Sequence, residues 1–106
     1  MKAQAAAAIL VISHDPKWAE HVVDRFSGIS RAMATTATKV PDALRLVRSP
    51  VAALIDLGTP GLDAKHFIAE LRRRVPECAV IFTSRHPRLG EAISLMRSGA
   101  SDYLVL

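Results

Sequence analysis

A single carboxylate stands where an apolar run meets a turn, and it is the side chain best placed to do chemistry. The run over 51–57, VAALIDL, carries Asp56 near its end, and the turn sequence GTPG follows directly. A strand that ends in a loop holds its last side chains rigidly, while the loop gives ligands access to them. We therefore take Asp56 as the candidate reactive or ligand-binding group.

Polar side chains at the ends of two other apolar runs could assist Asp56. Ser13 and His14 follow the first run, and Thr83 closes the fourth. The carboxyl ends of parallel strands meet at one edge of a sheet, so these side chains would gather there. For His14 the sequence leaves three roles open: a surface residue, a pH-sensitive neighbour of Asp56, or a metal ligand.

The composition fits one globular domain without an internal disulfide. The chain has 106 residues, half of them hydrophobic, and its only cysteine is Cys78. No apolar run approaches the roughly 20 residues of a membrane span. The first run, over 5–12, ends in SHDP without the small-residue cleavage pattern of a signal peptide. We therefore expect a cytoplasmic protein with no membrane contact.

The formal net charge of +4 comes mostly from arginine. A basic balance suits an acidic partner or nucleic acid. The basic residues are spread over several segments, however, and the chain has only one Trp, one Tyr and three Phe. Stacking platforms for single strands need more aromatic side chains, so we do not expect nucleic-acid binding through this domain.

Apolar runs alternate with segments of helical periodicity along the whole chain. The pattern predicts strands over 7–13, 30–35, 51–57, 79–83 and 101–106, with helices over 16–26, 38–48, 64–75 and 89–98. Asp15 before Pro16 is typical of a helix N-cap, and Gly28 and Gly99 are expected to end helices. Continuously apolar strands indicate burial on both faces, so we predict a doubly wound α/β fold with a five-stranded parallel sheet.

Three segments, in this order, resemble the receiver domain of bacterial two-component response regulators. The segment DLGTPGLD over 56–63 is similar to the family's phospho-acceptor strand end and its Pro-Gly turn. The segment FTS over 82–84 is similar to the strand that carries the family's switch hydroxyl, and SGASDYL over 98–104 to its Gly-Ala-x-Asp-Tyr/Phe-Leu run. The resemblance covers nearly the whole chain and implies a flavodoxin-like fold of the receiver type.

In that family an aspartate accepts a phosphoryl group from a histidine kinase, and an acidic pair holds magnesium beside it. A Thr or Ser and a Lys bind the phosphoryl group, and an aromatic side chain moves inward on activation. By position, the resemblance makes Asp56 the acceptor, Thr83 the phosphoryl-binding hydroxyl and Tyr103 the aromatic switch. Ser13 and His14 stand in place of the acidic pair, and Leu106 stands in place of the Lys.

These departures weaken the chemistry that the family performs, because phosphoryl transfer depends on positioning and charge neutralisation. Mg²⁺ prefers oxygen ligands, whereas Ser13 is neutral and His14 offers nitrogen. We expect no required cofactor, with Mg²⁺ held only weakly at Asp56. We therefore expect a degenerate receiver, or pseudo-receiver: a signal-transduction module of a two-component phosphorelay that works through protein–protein contacts. It would not be an enzyme, apart from at most slow self-phosphorylation and dephosphorylation at Asp56.

Two alternatives stay open beside this prediction. One is a working phospho-receiver that takes a phosphoryl group on Asp56 from a histidine kinase. The other, an unrelated doubly wound enzyme, lacks both the G-x-G-x-x-G fingerprint and a P-loop.

The resemblance also implies partners. We expect a histidine kinase or another signalling protein and an output domain in cis, and the sequence leaves a homodimer open. The family's usual interaction face places the interface at Arg85, Arg88, Arg97 and Tyr103. Because the sequence stops at the fifth strand without the family's final helix, we expect residues 1–106 to be one receiver-like domain at the N-terminus of a longer regulator.

Overall fold

The computed structural model describes residues 8–106, so Ala7, the first residue of the first predicted strand, lies outside the described residues. Strands and helices alternate along the chain as the periodicity predicts. The elements are β1 (Ala8–Ile12), α1 (Pro16–Phe26), β2 (Arg31–Thr35), α2 (Val40–Leu46), β3 (Ala52–Asp56), α3 (Ala64–Arg74), β4 (Ala79–Ser84), α4 (Leu89–Arg97) and β5 (Asp102–Val105).

The five strands form one parallel sheet in the order β2-β1-β3-β4-β5. The prediction of a doubly wound sheet is confirmed. The register places Asp56 opposite Thr83, so the ends of β3 and β4 lie side by side. The sheet therefore brings the predicted acceptor and the predicted hydroxyl to the same edge.

The core consists of two layers that flank the sheet. Side chains of α2, α3 and α4, among them Val40, Phe67 and Leu95, pack on one face. On the other face α1 packs Ala19 against Ile9 and Val11, with Trp18 half-buried beside them. Alternate residues of β1 and β3 feed the two layers, which explains why these two strands are continuously apolar.

The strand β5 corrects the expectation that every strand is buried on both faces. Leu104 and Val105 are 42% and 61% exposed. The cause is the position of β5 at the edge of the sheet. Within residues 8–106, the face of the sheet under α1 carries no other helix. None of the described helices is long and apolar enough to cross a membrane.

Local capping signals locate most helix ends correctly. Asp15 and Asp63 cap α1 and α3, each accepting hydrogen bonds from backbone N–H groups of the first turn. Gly99 follows α4 with a φ of 111°, a conformation that glycine adopts easily. The helix α1 ends at Phe26 as predicted, with Ser27 as its C-cap in a right-handed conformation. Gly28 follows directly, but its φ is not positive, so it does not supply the left-handed ending typical of glycine. The helix α2 is shorter than the predicted 38–48, and its N-cap residue, Lys39, makes no side-chain capping hydrogen bond.

Arg72 ties two loops to the C-terminal end of α3, a role that the sequence does not reveal. The run of three arginines over 72–74 suggests a solvated helix end, yet Arg72 as a residue is half-buried. It donates to the carbonyl oxygens of Gly99 (2.7 Å), Pro76 (3.2 Å) and Cys78, and to the Ser101 hydroxyl (3.2 Å). These contacts join the loop before β4 to the loop before β5.

Candidate functional site

Asp56 lies at the carboxyl end of β3 and is only 6% exposed. Each of its carboxylate oxygens already accepts a hydrogen bond from a neutral donor. The Ser13 hydroxyl donates to Oδ2 at 2.8 Å, and the Gly58 N–H donates to Oδ1 at 2.8 Å. A buried carboxylate needs such donors, because an unsatisfied oxygen there would cost several kcal/mol. Hydrogen-bond donors of the same chain therefore stabilise the unmodified Asp56 carboxylate.

Ser13 and His14 occupy the end of β1, as predicted, but they contact Asp56 differently. Ser13 is buried and hydrogen-bonded, whereas the His14 side chain is 49% exposed, with Nδ1 3.9 Å from Asp56 Oδ2. That distance exceeds a hydrogen bond, so a protonated His14 would give an ion pair and a neutral one only van der Waals contact. The structure thus places His14 at the surface and next to Asp56, and its role stays a prediction.

Gly58 lies in close contact with both Asp56 and His14. A Cβ on Gly58 would lie 3.2 Å from Asp56 Oδ1 and 3.6 Å from His14 Cε1. The turn after β3 therefore folds back over the carboxylate, and its N–H supplies the second donor.

Asp15, the third polar residue after β1, is turned away from Asp56. Its Oδ1 accepts from the N–H groups of Lys17 (3.1 Å) and Trp18 (3.2 Å), and its Oδ2 accepts from Arg85 at 2.9 Å. The hydrogen bond from Trp18 and the one from Arg85 lower the pKa of the Asp15 carboxyl. Arg85, predicted at an interface, thus joins the loop after β4 to the start of α1 at the mouth of the site.

The residues around Asp56 do not fit a magnesium ion. Mg²⁺ needs several oxygen ligands in octahedral array. Within residues 8–106 no group of three His, Cys, Asp or Glu side chains is arranged to hold a metal. Asp56 is engaged by two donors, Asp15 is paired with Arg85, and His14 offers nitrogen.

Thr83 lies beside Asp56 in register but is fully buried, at 1% exposure. Its Oγ1 has no hydrogen-bond partner among the described residues. A buried unpaired hydroxyl is uncommon and costs about 1–3 kcal/mol, so this atom is a donor without an acceptor at the edge where Asp56 lies. The next residue, Ser84, faces the surface depression instead and accepts a hydrogen bond from the His86 N–H at 3.2 Å.

An open depression of about 720 Å³ lies beside Asp56. Both acidic and basic side chains line it, and one of them, Glu91, is a residue that the sequence did not place at this edge. The full lining is His14, Asp15, Asp56, Leu57, Gly58, Ser84, Arg85, His86, Arg88 and Glu91. Helical spacing alone could not place Glu91 beside the depression, because Glu91 contacts Tyr103 of β5.

The predicted β5 residues lie near this depression without lining it. Tyr103 is half-buried, and its hydroxyl donates to Glu91 Oε1 at 3.1 Å, which links β5 to α4. Leu106 is 50% exposed and donates its backbone N–H to the Ser84 carbonyl at 2.9 Å. At the position that resembles the family's Lys, the chain therefore brings no charge.

Arg88 and Arg97 stand at the two ends of α4, Arg88 as the N-cap residue and Arg97 as the last residue. Neither has a carboxylate within 4 Å among the described residues. Unlike Arg85, they are therefore available to a partner.

Two curated proteins resemble the sequence, and no protein-family model matches it. The DNA-binding transcriptional regulator NtrC of Salmonella typhimurium is 32% identical over 79 residues, which is 74% of this chain and 15% of NtrC. The response regulator protein FleR of Pseudomonas aeruginosa is 28% identical over 107 residues, which is 94% of this chain and 21% of FleR. The chain thus spans about a fifth or less of each relative.

Solved structures share the fold at lower identity. The BeF3-activated receiver domain of DrrB superposes with a TM-score of 0.82 and 17% identity, covering 95% of this chain and 85% of that one. A response regulator from Burkholderia pseudomallei, solved with a phosphorylated aspartic acid, calcium and citrate, gives 0.80 and 19%, covering 93% and 59%. Sequence relatives and fold together identify this chain as a receiver domain of the response-regulator family.

Proposed function

We propose that this receiver domain is a signalling module of a two-component system whose acceptor position, Asp56, is silent. The proposal rests chiefly on one observation: both carboxylate oxygens of Asp56 are satisfied by Ser13 and Gly58 of the same chain. In this reading the module works through protein–protein contacts, in the cytoplasm and as part of a longer regulator.

The charge balance supports a silent acceptor. Transfer to Asp56 would put a phosphoryl group on a buried side chain and raise the negative charge there, and that charge must be neutralised. Ser13 and Leu106 are uncharged, and Arg85 is engaged by Asp15. One opposite charge at 4 Å is worth about 4 kcal/mol at an effective dielectric of 20. A site without the metal and the Lys therefore gives up most of the stabilisation that the transfer needs.

The alternative is a working phospho-receiver with slow turnover at Asp56. Three observations favour it: Asp56 and Thr83 are neighbours in register, the Thr83 hydroxyl has no partner among the described residues, and an open depression lies beside them. A phosphoryl oxygen could accept a hydrogen bond from that hydroxyl.

Intact mass after incubation with a small phosphodonor and millimolar Mg²⁺ distinguishes the two proposals. A variant carrying Ser13→Asp, His14→Asp and Leu106→Lys serves as the matched control, because it restores the charges that the family uses. We expect a phosphoryl adduct on the control and none on the native chain. An adduct on the native chain that Asp56→Asn abolishes would establish the phospho-receiver and overturn the silent acceptor.

We further propose that the partner, a histidine kinase or another signalling protein, contacts the side of the domain formed by α4 and β5. Arg88, Arg97 and Tyr103 lie on these elements. The Arg85 side chain belongs to the mouth of the site instead, because Asp15 holds it. Unchanged partner binding in an Arg88→Ala, Arg97→Ala variant would contradict this placement.

A further inference from the structure

The outer edge of β2 carries none of the features that usually keep an edge strand from pairing with another chain. Such features are charged side chains, proline and β-bulges. The centre of β2 is Ala32, Met33 and Ala34, and its pairing with β1 runs without a bulge from Arg31 to Thr35. No other strand within residues 8–106 pairs with this edge. The edge is therefore open and uncharged over its three central residues.

Ala32 and Ala34 direct their backbone groups away from the sheet. The Thr35 carbonyl accepts a hydrogen bond from the Ser13 N–H at 3.1 Å, so the backbone groups of Thr35 face β1. Alternate residues of a strand direct their N–H and C=O groups to the same side, so those of Met33 also face β1 and those of the two alanines face outward. These outward donors and acceptors can pair with a further strand.

A second copy of β2, running antiparallel, satisfies these groups in a closed arrangement. If Met33 stands opposite its own equivalent, Ala32 of each copy stands opposite Ala34 of the other, and each such pair exchanges two hydrogen bonds. The same register places Arg31 opposite Thr35, so no like charges meet. A twofold axis at Met33 relates the copies, so the assembly closes at two chains and does not grow into a fibre.

Side chains on both faces of the sheet fit this twofold arrangement. Met33 is half-buried on the face that α2 covers, so the two Met33 side chains would meet there. On the other face, Val23 of α1 is half-buried and borders both depressions along β2, the one beside Ala32 and the one beside Ala34. Val23 is therefore level with Met33, and it would face its own equivalent across the same axis.

We propose that this β2 edge, meaning residues 31–35 with Val23 of α1, binds a second copy of the chain and joins the two five-stranded sheets into one. The inference goes beyond the proposed function, because it assigns an interface between copies at the edge of the sheet away from α4 and β5. It makes no demand on Asp56, so its failure leaves the silent acceptor untouched.

Sedimentation of the chain over a range of concentrations tests the association, and two substitutions locate it. Ala34→Pro removes an outward N–H, and an edge strand tolerates proline there because that N–H faces solvent in the single chain. We expect the native chain to dimerise and Ala34→Pro to raise the dissociation constant on the order of tenfold or more. Ile93→Ser is the matched control, because Ile93 is exposed on α4, which connects β4 to β5 at the opposite edge of the sheet. It should leave the dissociation constant unchanged.

Cysteine cross-linking tests the register. Met33→Cys places two thiols opposite each other in a non-hydrogen-bonded pair, where Cα atoms lie about 4.5 Å apart and a disulfide can form. Arg31→Cys is the matched control, because Arg31 stands opposite Thr35 and the offset along the strands separates its two copies by roughly 13 Å. Cys78 is buried, so it does not compete. Mild oxidation should give a covalent dimer of Met33→Cys and none of Arg31→Cys.

Three results would overturn the proposal. One is a chain that sediments as a monomer up to millimolar concentration. Another is a dimer that Ala34→Pro leaves intact, and its loss in Ile93→Ser would place the contact at α4 instead. The third is equal cross-linking of Met33→Cys and Arg31→Cys, because it would exclude the closed pair of β2 strands.

Discussion

Replacing Ser13 by aspartate converts the hydrogen bond at the acceptor into a repulsion, and the size of the effect follows from the structure. Ser13 Oγ lies 2.8 Å from Asp56 Oδ2, and Asp56 is 6% exposed. A carboxylate at residue 13 would stand about 4 Å from the first one. At an effective dielectric of 20 the repulsion is about 4 kcal/mol, and the hydroxyl's donated hydrogen bond is lost as well. We expect the melting temperature at neutral pH to fall by about 20–30 °C.

Magnesium should reverse this loss, because paired carboxylates provide the oxygen ligands that Mg²⁺ prefers. Thermal unfolding with and without millimolar Mg²⁺ is the assay. The native chain should melt at the same temperature in both, and Ser13→Asp should regain most of its loss only with the metal. Ser13→Ala is the control: it removes the hydrogen bond without adding charge, so it should cost about 1–3 kcal/mol that Mg²⁺ does not restore.

A rise of several degrees for the native chain in Mg²⁺ would refute the reasoning, since it would mean that Asp56 and its present neighbours already hold the ion. An unchanged melting temperature for Ser13→Asp would refute it equally, because two carboxylates at that distance must repel in a buried site.

Three further predictions concern other parts of the structure. Arg72→Met should lower the free energy of unfolding by about 2–4 kcal/mol in urea titrations, because it removes the hydrogen bonds that join two loops. The control Arg73→Met loses one exposed ion pair to Glu70 and should lower it by under about 1 kcal/mol. Equal losses in the two variants would contradict the role of Arg72. Thr83→Val should leave the free energy of unfolding unchanged or raise it by up to about 1 kcal/mol, because it removes an unpaired hydroxyl, and a large loss would show that the hydroxyl is bonded. Because the folded state lowers the pKa of Asp15, its carboxylate stabilises the fold above about pH 4 and this contribution is lost as pH falls through the folded pKa. Asp15→Asn should therefore flatten the acid limb of stability measured between neutral pH and pH 3, and an unchanged slope would contradict the assignment.

Much of the fold was predictable because its signals are local. The caps Asp15 and Asp63 need only the backbone of the next turn, and both directly precede the helices predicted over 16–26 and 64–75. Gly28 shows the limit of such signals, since a glycine permits a left-handed ending without requiring one. The position of Asp56 at a strand end was also local information, because a continuous apolar run followed by a turn is a pattern of neighbouring residues.

What the sequence determined by itself is the order of strands and helices, the parallel sheet that follows from buried strands, and the side chains delivered to the sheet's carboxyl edge. Tertiary structure alone decided how those side chains meet. The Ser13 hydroxyl reaches Asp56 across 43 positions of sequence, and Arg85 reaches Asp15 across 70. Such contacts depend on strand order and register, which bring distant residues within hydrogen-bonding distance. No periodicity or spacing within one segment carries that information.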